Sequence, residues 1–186
     1  FIKFNPKLKI AVLASGEGTN FQALINASKY EGLDIDIKVL ITNKKNAGCI
    51  EKAIKSEIPY IFLDQGNFDS KRNYEKEIIR NIEKNDVELV VMAGWMKIVS
   101  DFFVNKFKNR IINIHPSLLP SFKGKSPISD ALKNSSLITG CSVHFVEKEV
   151  DSGELIVQGA LRINKDDNLE TLTTKVHKIE HKILPL

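Results

Sequence analysis

Lys9-Ile-Ala-Val-Leu-Ala14, Ser15-Gly-Glu-Gly-Thr-Asn20 and Phe21-Gln-Ala-Leu-Ile25 follow one another without a break, and their order decides the fold. The first run is apolar and of strand length, the second is a glycine turn, and the third sets Phe21, Leu24 and Ile25 at helical spacing. A strand with no polar face needs cover on both sides, as in a parallel sheet flanked by helices. In such a unit the amides of Gly18, Thr19 and Asn20 stand at a helix N-terminus, where unpaired N–H groups and the helix dipole favour phosphate. A dinucleotide fingerprint asks for a third glycine where Phe21 stands, so a monophosphate is expected rather than a nicotinamide cofactor. A tight turn without any ligand fits the same residues.

The alternation continues downstream. Asp36-Ile-Lys-Val-Leu-Ile-Thr42, Tyr60-Ile-Phe-Leu63 and residues 87–93 read as strands, with helices over 47–56 and after Ser70, where Tyr74, Ile78, Ile79 and Ile82 share a face. A strand over 110–114, a helix over 128–134 and strands over 141–146 and 155–163 follow. The last two are expected to pair through a turn at Asp151-Ser-Gly153. Leu169, Leu172, Val176, Ile179 and Ile183 predict a final helix behind a capping box of Asp167 and Glu170. The expected class is α/β: a Rossmann-like, mostly parallel sheet with helices on both faces and an antiparallel or mixed C-terminal part, in one domain over residues 1–186.

The 186 residues carry 42% hydrophobic and 27% charged side chains and no apolar run long enough to span a bilayer, so no membrane role is expected. The net charge of +4 comes from scattered lysines rather than a basic tract with interleaved aromatics, which argues against nucleic acid. Cys49 and Cys141 lack ligand spacing, so neither a disulfide framework nor a metal site is expected, and reduced cytoplasmic thiols are. No signal peptide precedes the first strand.

Arg110-Ile-Ile-Asn-Ile-His-Pro-Ser-Leu-Leu-Pro120 holds the most reactive pair. Alternation along the strand puts Asn113 and His115 on one side and Ile112 and Ile114 on the other, and Pro116 ends the ladder. An amide donor beside an imidazole suits acyl transfer, since one stabilises an oxyanion and the other moves protons near neutral pH. A satisfied asparagine and histidine closing a strand is the plainer reading. After the strand ending at Ala93, Trp95, Met96, Ile98 and Val99 either line a slot for a flat heterocycle at the sheet's carboxyl edge or belong to the core.

Together, Ser15-Gly-Glu-Gly-Thr-Asn20, Ala93-Gly-Trp-Met96, Asn113-Ile-His-Pro-Ser-Leu-Leu-Pro120, Ser142-Val-His-Phe-Val146, Asp151-Ser-Gly153 and Glu180-His181 resemble the phosphoribosylglycinamide formyltransferases, folate-dependent enzymes of purine synthesis. The resemblance covers nearly the whole chain. Its central motif is shared by the wider formyltransferase superfamily, while the first loop separates the glycinamide ribonucleotide enzymes. It implies a phosphate contact at Gly18, Thr19 and Asn20 and a ribose contact at Glu180. It further implies 10-formyltetrahydrofolate as co-substrate against Met96, Lys97, Ile98, Val99, Asn113 and Val150, with Lys71 near the folate's acidic tail and no metal.

The implied chemistry is direct transfer: the neutral amine attacks the formyl carbon, Asn113 and a protonated His115 stabilise the oxyanion, and Asp151 pairs with the imidazolium and helps carry a proton through a water. The resemblance also implies a monomer or homodimer, and a C-terminal tail truncated or missing after Leu186. Departures from the family pattern are Ser126 and Ile128 in the loop after Pro120, and Glu17, an acid in the phosphate loop that must point away from the anion. A formyltetrahydrofolate hydrolase would share Asn113, His115 and Asp151, a methionyl-tRNA formyltransferase would need another first loop, and a phosphate-binding module would need no catalytic group. A metal hydrolase on His115, His144 and Asp151 lacks short ligand spacing, with His144 inside a strand.

Overall fold

In the computed structural model, which describes residues 5–186, the opening unit forms as β1 (Leu8–Ala14) and α1 (Thr19–Tyr30), joined by the glycine turn. Later apolar runs add β2 (Ile35–Thr42), β3 (Tyr60–Phe62), β4 (Leu89–Met92), β5 (Ile111–His115), β6 (Ile138–Phe145) and β7 (Leu155–Arg162). Between and after them lie α2 (Gly48–Lys55), α3 (Lys71–Lys84), α4 (Asp101–Lys106), α5 (Pro127–Lys133) and α6 (Leu169–Ile183). The strands form one sheet in the order β3-β2-β1-β4-β5-β6-β7, parallel from β3 to β5 and antiparallel for β6 and β7.

The two-sided burial expected of β1 is visible residue by residue. Ile10, Val12 and Ala14 pack with Phe21, Leu24 and Ile25 of α1 and with Leu172 and Val176 of α6. Ala11 and Leu13 face the other way, onto Tyr74, Ile78 and Ile82 of α3 and Phe103 of α4. The chain runs outward from β1 to β2 and β3, then crosses back to β4 on the other side of β1. That reversal is the topological switch point of the sheet, where folds of this kind place a ligand crevice, at the carboxyl ends of β1 and β4 beside the turn after residue 14 and the segment 94–100.

Two local expectations are corrected. The box on the last helix is made by Asn168 and Thr171, whose side chains each accept from the other's backbone N–H at 3.0 Å. Asp167 sits one residue too early to cap; it accepts from Asn164 N at 2.8 Å and from Lys175 Nζ at 2.6 Å. Helix α4, which the periodicity misses, has six residues, too few to repeat a pattern, and is held by Phe103 against Phe107, their rings tilted at 59° with centroids 5.2 Å apart. Ser70 caps α3 as expected, accepting from Asn73 N at 3.1 Å. Cys49 and Cys141 are free and buried, and burial pushes the Cys141 thiol up to about 12.

Leu13 is fully buried at the middle of the sheet. Leu13→Ala is expected to cost about 2–5 kcal/mol in a urea titration, from lost burial plus the cavity left behind.

Candidate active site

The polar centre is built by one antiparallel register. Asn113 on β5 stands opposite His144 on β6, and His115 stands opposite Ser142. Pro116 turns the chain out of the ladder, and the loop beyond it is tied back to the sheet. Ser142 Oγ donates to Ser117 O at 2.7 Å and accepts from Leu119 N at 3.0 Å, and Gln158 Nε2 of β7 donates to Leu119 O at 3.0 Å.

Hydrogen-bond geometry fixes the state of His144. Its Nδ1 lies 2.8 Å from Phe145 O, and a carbonyl only accepts, so the ring hydrogen sits on Nδ1. Asn113 Nδ2 lies 3.2 Å from Nε2, and an amide nitrogen only donates, so Nε2 is the acceptor. Burial holds the imidazole below its ordinary range, with the Phe145 carbonyl and Asp151 opposing only in part. Asn113 is thereby oriented with an N–H to spare.

His115 is buried, its Nε2 donating to Phe122 O at 2.9 Å and its Nδ1 lying 3.5 Å from Asp151 Oδ2. Acceptors thus face both nitrogens, an arrangement that the doubly protonated ring satisfies. Asp151 Oδ1 lies 3.7 Å from His144 Nε2, and Gly124 N donates to Oδ2 at 2.9 Å. The carboxylate is set by a strained turn: Asp151 has φ 52°, and a Cβ on Gly153 would lie 1.8 Å from Phe145 O, so only glycine lets the hairpin pass there.

On the opposite face of the sheet the glycine turn presents the start of α1. Gly18 is the N-cap with φ 72°, and a Cβ there would meet Cys49 Cβ at 2.5 Å. No side chain caps this helix. Its first intrahelical bond runs from Gln22 N to Gly18 O, so the amides of Thr19 and Asn20 have no acceptor within the helix. Glu17 does point away: its Oε2 lies 2.5 Å from where a Gly48 Cβ would sit, at the head of α2. Glu180 of α6 is buried and accepts from Asn20 Nδ2 at 2.9 Å, and burial holds its carboxyl above the usual range.

Segment 94–100 closes the crevice. Trp95 is buried as a core residue, whereas the core alternative fails for Met96 and Ile98, which are 75% and 59% exposed. Lys97 is exposed beside them, Val99 is half-buried, and Val150 lies 42% exposed in the hairpin turn. Lys71 heads α3 with its Nζ 4.0 Å from Glu75 Oε1. The centre therefore gathers Asn113, His115 and Asp151 and adds His144, which the sequence weighs only as a metal ligand and which its place inside a strand argues against. The clue is register: Asn113 and His144 meet only once β5 and β6 are paired antiparallel. Among the described residues no His, Cys, Asp or Glu group is arranged to hold a metal ion, and no helix is long and apolar enough to cross a membrane.

The profile of the formyl transferase family matches residues 8–186. The chain belongs to that family. It is 37% identical over 177 residues to a Bacillus subtilis phosphoribosylglycinamide formyltransferase, covering 95% of this chain and 91% of that protein. It is 41% identical over 179 residues to the Gallus gallus trifunctional purine biosynthetic protein adenosine-3, covering 96% of this chain and 18% of that protein. The chain thus spans under a fifth of that longer relative. A crystal structure of glycinamide ribonucleotide transformylase 1 from Symbiobacterium toebii superposes with a TM-score of 0.95 at 32% identity, covering 98% of this chain and 86% of that one. The phosphoribosylglycinamide formyltransferase of Bacillus halodurans gives 0.92 at 38%, covering 95% and 91%.

Because burial lowers the His144 pKa, the unfolded chain takes up a proton first as pH falls. Destabilisation from this residue begins near the ordinary imidazole value of about 6.5 and is complete below the lowered one. Titration followed by imidazole NMR is expected to show His144 less than half protonated at pH 6.5; a ring half or more protonated there would refute this orientation of Asn113.

Proposed function

We propose that the chain is a single formyl-transferring domain that moves the formyl group of 10-formyltetrahydrofolate to the amine of glycinamide ribonucleotide, a step of purine synthesis. The observation that carries this reading is the meeting of an oriented amide, a doubly bonded imidazole and a carboxylate on one sheet edge, beside a helix start open to phosphate. The relatives named for this activity share nearly all of the chain. The folate supplies an activated one-carbon acyl group, and the exposed Met96, Ile98 and Val150 suit its flat ring.

Asn113 donates its spare N–H to the formyl oxygen as negative charge grows there, and His115 stabilises the same charge. Asp151 holds the imidazole by its Nδ1 side and, through a water, relays the proton lost by the amine to N10 of the folate as the bond between N10 and the formyl carbon breaks. The amides of Gly18, Thr19 and Asn20 bind the phosphate, and Glu180, kept in place by Asn20, accepts from the ribose hydroxyls. Lys71 attracts the folate tail. The two buried free thiols accord with the reducing cytoplasm.

Mixing the protein with both substrates and following deformylation by absorbance tests the reading. Turnover requiring both supports transfer; turnover with the folate alone would mean hydrolysis, and none with both would remove the activity. Asn113→Ala is expected to lower kcat about 10²–10³-fold, as loss of an oxyanion donor does. His115→Ala and Asp151→Asn should also suppress turnover in folded protein, and a full rate in either rejects its role.

Glu17 offers a second check. A methyl at Gly48 would strike its carboxylate and swing the charge towards the phosphate amides. Gly48→Ala should raise the KM for glycinamide ribonucleotide, and adding Glu17→Gln should restore it; no recovery would show that charge is not the cause.

A further inference from the structure

Segment 94–100 is fastened at both ends. At its start, Ser15 N donates to Gly94 O at 3.0 Å, and Ser15 Oγ accepts from Met96 N at 2.9 Å. At its far end, Glu75 of α3 accepts from Ser100 N at 2.8 Å and also from Ser100 Oγ. Ser100 stands at the N-cap of α4, and its hydroxyl, which makes no cap bond, donates to Glu75. Glu75 is 2% exposed on the face of α3 that carries Tyr74, Ile78 and Ile82. A carboxylate so deep is costly unless its oxygens are matched, and here the strap's end and Lys71 Nζ, at 4.0 Å, match them. Between the two fastenings Trp95 is buried in the core and Val99 packs against it, while Met96, Lys97 and Ile98 are exposed.

We propose that Glu75 is a positioning residue for the one-carbon donor: its buried carboxylate clamps the far end of strap 94–100 and holds Lys71 beside it. Both parts of the donor's surface, the ring-facing strap and the tail-facing cation, therefore take their places from one side chain on α3. The inference rests on the formyl-transfer reading above. It goes further by assigning donor affinity to a residue that touches neither substrate.

Trp95, the only tryptophan of the chain, lies within the strap and reports donor binding without catalysis. Titrating tetrahydrofolate against Trp95 emission is expected to give a Kd roughly tenfold weaker in Glu75→Ala, the scale of a lost charged hydrogen bond. Glu75→Gln, which still accepts from Ser100, should recover most of the affinity. In turnover Glu75→Ala should raise the folate KM alone, leaving kcat and the KM for glycinamide ribonucleotide within about twofold. Amide hydrogen exchange over residues 94–100 should quicken by a similar roughly tenfold factor. Should Glu75→Ala not fold, Ser100→Ala, which deletes only the hydroxyl, is expected to weaken tetrahydrofolate roughly threefold.

Unchanged exchange in the strap, equal rises in both KM values, or a wild-type chain that does not bind tetrahydrofolate would overturn the proposal. A wild-type chain that binds tetrahydrofolate yet transfers no formyl group would instead overturn the activity, with the Kd ratio still deciding the clamp.

Discussion

An amide side chain can offer its hydrogens or its oxygen, and Asn113 offers hydrogens because the ring beside it is neutral. The 3.2 Å bond from Asn113 Nδ2 to His144 Nε2 is the contact on which the rest of the centre depends. It requires the proton of His144 to sit on Nδ1, where the Phe145 carbonyl holds it, and burial to keep a second proton off the ring. Were both nitrogens protonated, Nε2 would donate and Asn113 would have to turn its oxygen to the ring, moving its N–H groups away from where the present orientation offers them. The antiparallel β5–β6 pair supplies this contact through register alone.

The sheet separates two kinds of electrostatic work. On the α3 and α4 side, neutral His144, Asn113, His115 and Asp151 form a network whose members each have a directional partner. On the α1 and α6 side, the start of α1 offers partial positive charge, and Glu180 is buried against it through Asn20. Glu17 would spoil that anion site if it leaned inward. Its placement over Gly48, a residue with no Cβ to exclude it, moves the charge to the head of α2, where the helix dipole also favours an anion.

Most of this is legible in the sequence, for physical reasons. Continuous apolar runs mark β1 and β2 and a period near four marks α3 and α6, because burial on two faces or on one dictates them. Asn113 and His115 are legible because two residues of one strand share a face without any knowledge of partners. His144 is not, since its meaning lies in a cross-strand register that spacing along the chain does not encode. The cap at Asn168 rather than Asp167 escapes for a related reason: either side chain can cap, and the exact turn where the helix begins decides. Met96 and Ile98 look like core by composition and are exposed because the segment spends Trp95 and Val99 on the core and turns these two outward.

The anchor at Ser15 explains how two substrates can be held in mutual register. Ser15 belongs to the phosphate turn by sequence and to the strap by its bonds to Gly94 and Met96. The same strand end that leads into the anion site therefore also sets the height of the surface proposed for the folate ring. An amine held through its phosphate and an acyl carbon held through its ring approach each other only as accurately as those two surfaces are joined, and an error near 1 Å is enough to cost about a hundredfold in rate. A direct pair of hydrogen bonds between the two loops is the shortest physical link available. It makes the crevice between β1 and β4 a jig rather than a mere opening.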